Sequence, residues 1–105
     1  MADAYKKLYQ GQPGTSAATV YTAPASTTTI IRHIRAVNTH TAEQTIELWD
    51  DGTADVNKIL PAVSIGPDDM YAEDCFICVA AADTIAAKAS IAAEVTLTFY
   101  GVEIT

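Results

Sequence analysis

The segment EVTLTFYGVEIT, residues 94–105, decides the fold class. Val95, Leu97 and Phe99 alternate with Thr96 and Thr98, a period of two that sends one set of side chains into a core and the other outward. Near Gly101 the apolar phase changes, because Tyr100, Val102 and Ile104 form the next set. A glycine at a change of phase marks a β-bulge. The other arrangement these residues allow is a strand apolar on both faces, with one face covered by a neighbour.

The same periodicity recurs upstream, punctuated by turn residues. ATVYT (18–22) is a short strand closed by Pro24 and a Ser/Thr run. TTIIRHIRAVN (28–38) is the longest early strand, with Ile30, Arg32, Ile34 and Ala36 on one face and Ile31, His33, Arg35 and Val37 on the other. Both faces are partly apolar, which suits a central strand or one covered by a second subunit. TIELWDD (45–51) sets Ile46 and Leu48 against Thr45, Glu47 and Trp49. Asp51-Gly52 then reads as a tight hairpin turn, since both residues tolerate positive φ. VNKILPAVSI (56–65) gives one or two strands broken at Pro61, and MYAEDCFICVAA (70–81) resumes extended structure beyond a Gly66-Pro67 turn. DTIAAKASIAAE (83–94) alternates well enough to read as strand despite its alanines.

These elements predict an all-β chain: a single β-sandwich or jelly-roll-like domain of seven or eight short antiparallel strands. Residues 1–17 end in Gly11, Pro13 and Gly14 and read as an extended N-terminal arm, with at most a short strand around Tyr5 to Tyr9. Residues 18–105 form the domain itself. At 105 residues a single core and a single domain are expected.

Composition excludes several function classes. Thirteen acidic and six basic residues give a formal charge of −7, and no basic cluster exists beyond Lys6 and Lys7. Nucleic-acid binding by counterion release needs several cations on one face, so it is not expected. An acidic surface fits a particle exterior better than contact with packaged DNA. No apolar run reaches the length of a membrane-spanning helix, and the first residues have no apolar signal region. The expected site of synthesis is a cytoplasm, where Cys75 and Cys78 stay reduced. Only 18% of residues are charged, which hints that part of the surface is covered by a partner.

The catalytic inventory is empty. Cys75 and Cys78 form a C-x-x-C, but a zinc site needs four ligands at matched spacing, and only His33 and His40 are available as histidines. On a strand, residues three apart point to opposite faces and lie about 10 Å apart. That exceeds the roughly 7 Å limit for a disulfide. Asp50, Asp51 and Asp55, and Asp68, Asp69, Glu73 and Asp74, cluster at turns, where carboxylates bond local amides. Calcium binding is the alternative use of both groups, though neither has the spacing of an EF-hand loop. His33 stands between Arg32 and Arg35 on a polar strand face, with no G-x-S-x-G signature to complete a triad. No cofactor, metal or catalytic residue is expected.

Contact residues are expected instead. Tyr5, Lys6, Lys7, Leu8 and Tyr9 combine aromatic and cationic side chains ahead of a Gly/Pro break, as docking anchors do. The competing reading makes Leu8 and Tyr9 part of the first core strand. Trp49 shares the side of Glu47, where it would serve as a contact or a sugar-stacking platform, unless both faces of the sandwich are buried. Tyr100, Val102 and Ile104 complete the set.

The opening YKKLYQGQPGTSAATVYTAPASTTTIIRHIRAVNT (5–39) resembles small tailed-phage virion structural proteins, in which an LY-G start leads through a YT-P turn to an IR-VN strand end. The close AEVTLTFYGVEIT (93–105), with its GVE, has the same look. The resemblance implies a non-enzymatic virion component with no catalytic residues. Its most concrete form is a capsid decoration (cement) protein that binds the outer surface of the head as a homo-oligomer, with a trimer favoured. Its partners would be the major capsid protein or other virion proteins. A neck, tail or fibre-tip component, binding glycans through Trp49, is the alternative.

Overall fold

The computed structural model describes residues 4–105. Eight strands follow in chain order: β1 (Lys6–Gly11), β2 (Ala18–Thr22), β3 (Thr28–Asn38), β4 (Gln44–Asp50), β5 (Lys58–Ile65), β6 (Asp69–Val79), β7 (Thr84–Ala89) and β8 (Val95–Ile104). They form two four-stranded sheets, ordered β1-β8-β3-β6 and β2-β7-β4-β5, with every pairing antiparallel. Successive strands mostly change sheet, and β5 and β6 mirror the pair β1 and β2 across the sandwich. This is the jelly-roll-like class that the alternation predicts. No described helix is long and apolar enough to cross a membrane.

The core is the set of inward side chains from both sheets. Ile31, Ile34, Ala36, Val79, Val95, Leu97 and Phe99 come from one sheet, and Ile46, Leu48, Leu60, Ile65, Ile85, Ala87 and Ala89 from the other. Alanines on β7 let the sheets approach where Phe99 and Ile31 fill the opposite side.

Of the two arrangements the sequence allows for β8, the structure has the strand that is apolar on both faces, without a bulge of its own. β8 keeps one alternation throughout: Val95, Leu97, Phe99 and Gly101 are buried, while Tyr100 and Ile104 are exposed. The irregularity is on its neighbours, between Ile31 and His33 of β3 and between Lys7 and Tyr9 of β1. Each takes three steps where β8 takes two, so Ile31 and Ile34 both face inward. Ile30 therefore joins His33, Arg35 and Val37 on the outer face, and the face assignment for Ile30 and Ile31 is reversed. Gly101 sits at this row because a Cβ there would collide with the Ile30 carbonyl and come within 2.9 Å of Leu8 Cδ1.

Within the N-terminal segment, Lys6–Gly11 is an edge strand on β8, and Leu8 and Tyr9 pack against the core, the competing reading for these two residues. Two other expectations are corrected. Asp51 and Gly52 do take positive φ, at 55° and 148°, but they open a longer connection containing a 3-10 turn at Asp55–Asn57. The Asn57 amide bonds the carbonyls of Asp50 and Asp51 and holds that loop in place of a two-residue hairpin. β5 runs on as one strand across Pro61, which falls within a register shift against β4 on a sheet edge that can spare the donor.

At the other end of the sandwich, Asn38 is fully buried at the tip of β3. Its amide donates to the carbonyls of Ala42, Ile65 and Gly66, and its oxygen accepts from the His40 amide. One side chain thus ties two loops to the central strand.

Gly101→Ala is expected to destabilise the fold by about 1–3 kcal/mol, the usual cost of forcing extra volume into a packed site. Chemical denaturation of the variant measures it; an unchanged midpoint would show that the β3–β8 row can open freely.

Candidate interaction surface

In an antiparallel sheet, directly opposed residues share a face, so strand register maps the outer surface residue by residue. On the β1-β8-β3-β6 sheet, one row runs Lys7–Tyr100–His33–Asp74 and the next Val102–Ile30–Cys78. Ile104 lies beside Thr28, and Met70 beside Val37 at the opposite end. Phe76 stands between the first two rows with the Arg32 guanidinium 5.6 Å from its ring centre. Tyr5, Met70, Phe76, Tyr100 and Ile104 are exposed. This outer face is more apolar than solvent alone would favour.

The expected contact residues divide. Tyr100, Val102 and Ile104 come together on this face, with Lys7 alongside Tyr100. Lys6 opposes inward-facing Gly101 and forms an ion pair with Glu103. Leu8 and Tyr9 serve the core, Tyr9 stacking at 5.6 Å from Phe99. Trp49 is separate. It lies on the outer side of β4, as the alternation requires, yet is only 5% exposed. Lys58 Nζ lies 5.2 Å from its ring centre, held there by Glu47 at 2.9 Å. A ring covered in this way offers no open platform for a sugar. Ile30, within a two-faced strand expected to be covered, joins this face, and Met70, Phe76 and Cys78, which sequence did not single out as contacts, complete it. The signal for them was the same alternation in β6, obscured by the carboxylates Asp69, Glu73 and Asp74.

A polar network borders the surface. Tyr21 Oη lies 2.7 Å from Thr29 Oγ1 and donates to Glu103 Oε2 at 2.7 Å. Hydrogen bonds from Lys6 and then Tyr21 hold the Glu103 carboxyl below its ordinary 4.5, against an opposing effect of burial. Burial above all, reinforced by Glu103, pushes Tyr21 up to about 12. The network joins β1, β2, β3 and β8, so it fastens the edge strand and the C-terminal strand at once.

Cys75 packs against the core and Cys78 is exposed, on opposite faces of β6 as the spacing requires; both are free thiols. Burial, with help from Glu73 and Asp74, raises the Cys75 thiol and makes it a poor nucleophile. His33 Nδ1 lies 2.8 Å from Asp74 Oδ1 with no serine or thiol completing a relay. Among the described residues, no three His, Cys, Asp or Glu side chains are grouped to hold a metal ion.

Comparison with known proteins gives a likeness of fold. No protein-family model and no curated protein sequence matches the chain. Among solved structures, a chain in the acidic stable capsid of Helicobacter pylori bacteriophage KHP30 aligns over 100% of this chain and 89% of its own, with TM-score 0.58 and 7% identity. The tobacco streak virus coat protein aligns over 98% and 85%, with TM-score 0.56 and 10% identity. A protein of Bacillus endospore appendages, which form disulfide-linked pili, aligns over 98% and 88%, with TM-score 0.51 and 17% identity. At these identities the sandwich is what is shared.

Two outcomes test the local chemistry. Glu103 is depressed in the folded state, so its stabilisation is complete above its unfolded value near 4.5 and is lost as pH falls through the lower folded value. Glu103→Gln is therefore expected to cost about 1–2 kcal/mol at neutral pH and progressively less as the pH falls below 4.5, read from denaturation curves across that range. Under native conditions a thiol reagent is expected to label exposed Cys78 faster than half-buried Cys75, with the difference lost on unfolding; equal native rates would contradict the packing of Cys75 against the core.

Proposed function

We propose that this chain is a non-enzymatic virion structural protein, and specifically a capsid decoration protein that binds the outer surface of the head as a homo-oligomer, a trimer being the favoured form. The observation that carries the reading is the whole-length fold likeness to a phage capsid chain and a plant-virus coat protein. An outer sheet face with exposed Tyr5, Met70, Phe76, Tyr100 and Ile104 supports it, because such a face is stabilised by being covered. The formal charge of −7 favours an exterior position over contact with packaged nucleic acid. The major capsid protein is the partner this reading names. Its mechanism is burial of surface across neighbouring shell subunits, with no bond made or broken.

Particles lacking this chain are expected to assemble and then fail at a lower temperature than complete ones, and added purified protein should restore the difference. Image reconstruction should place its density over the head. Density confined to the neck, tail or fibre tip would replace the decoration role with a tail role, and unchanged particle stability would remove the cementing function.

A further inference from the structure

The two edges of the β1-β8-β3-β6 sheet are complementary to each other. β1 and β6 are each hydrogen-bonded within the sheet on one side only, to β8 and β3. β1 (KKLYQG) carries Lys6 and Lys7 and no acid, whereas β6 (DMYAEDCFICV) carries Asp69, Glu73 and Asp74 and no base. The two remaining edges differ: β5 contains Pro61, which cannot donate to an added strand, and β2 (ATVYT) is uncharged.

We propose that β6 of one copy of this chain pairs with β1 of the next, extending this sheet head-to-tail from subunit to subunit. Strand directions permit it. β1, β8, β3 and β6 alternate in direction, so β1 and β6 run opposite ways. Copies related by rotation about an axis along the strands, or by translation, therefore present an antiparallel β6–β1 edge pair. Two-fold pairings are disfavoured: a β6–β6 pair centred on Glu73 and Asp74 brings carboxylates of the two copies together, and a β1–β1 pair centred on Lys6 and Lys7 brings lysines together.

Facial matching selects the register. Lys7 and Asp74 both lie on the outer face, at the two ends of the row Lys7–Tyr100–His33–Asp74. Setting Lys7 of one copy opposite Asp74 of the next brings Tyr5 opposite Phe76. These two aromatic residues are 71% and 65% exposed within one subunit. The Asp74 side chain is 94% exposed and bonded only to His33, so it can accept a second partner. Contacts of this kind are heterologous: they close into a ring where the rotation allows and continue as a filament where it does not.

The proposal rests on the reading of the chain as a self-associating structural subunit, and its test separates the two because it uses the purified chain without particles. Sedimentation over a range of concentration is expected to show self-association that weakens with salt. Lys7→Glu and Asp74→Lys should each raise the dissociation constant at least about tenfold, and the double variant K7E/D74K should return it to within about threefold of the parent. Both side chains are exposed, and circular dichroism checks that each variant folds. In a Cys75→Ser/Cys78→Ser background, Tyr5→Cys with Phe76→Cys and a short bis-maleimide should give covalent species beyond the dimer. A chain that stays monomeric, a double variant no better than the single ones, or cross-linking that stops at the dimer would each overturn the head-to-tail contact. Failure here leaves shell binding standing, and absence from the particle head leaves this contact standing.

Discussion

The structure turns on the close approach of two backbones at Gly101. The Ile30 carbonyl and Leu8 occupy the space a side chain would need, so β3 and β1 can reach β8 at this row only because residue 101 is glycine. That contact is also where β1 and β3 each carry one residue more than β8. The extra residue turns Ile31 and Ile34 to the same side and leaves Ile30 outside. Core filling, outer-face composition and placement of the edge strand all follow from this one row. Bulges raise local twist, which helps a four-stranded sheet wrap a small core.

Two polar ties hold the sandwich at its opposite ends. Asn38 replaces several loop-to-loop contacts with one buried amide, and the low dielectric around it makes each bond more costly to lose. The Lys6–Glu103–Tyr21–Thr29 network binds the strand that has least support, since β1 has a sheet neighbour on one side only. Apolar burial gives the domain its thickness, and these ties set where its ends stop.

Most of the architecture was legible in residue periodicity. β2 and β3 begin and end at the residues the alternation indicates, and the alanine-rich Thr84–Ala89 is a strand. The location of the bulge was not legible. A bulge in β8 and a regular strand apolar on both faces give the same order of residues around Gly101, and only pairing distinguishes them. Trp49 was hidden for a related reason: its face is set by β4, but its cover comes from Lys58 on another strand. The Asn closing the IR-VN motif gave no sign of its role, because a buried asparagine and a turn asparagine look alike in one dimension. The outer face was half legible, through Tyr100, Val102 and Ile104; Phe76 and Met70 stayed masked by the carboxylates between them.

The distribution of the six cations carries the last step. Lys58 and Lys88 lie 2.9 and 3.8 Å from Glu47 on the β2-β7-β4-β5 sheet, so their charge is spent within the subunit. Lys6, Lys7, Arg32 and Arg35 all belong to the other sheet, on strands β1 and β3, where Lys6 is paired with Glu103 of β8. In a chain with thirteen acids, placing most of the positive charge on the sheet that also exposes Phe76, Tyr100 and Ile104 gives that sheet a chemistry distinct from the rest of the surface. Charges across an interface fix partner and register, while apolar contact supplies most of the affinity. A sheet that combines both, on a scaffold tied at each end, is organised to meet other subunits through that side.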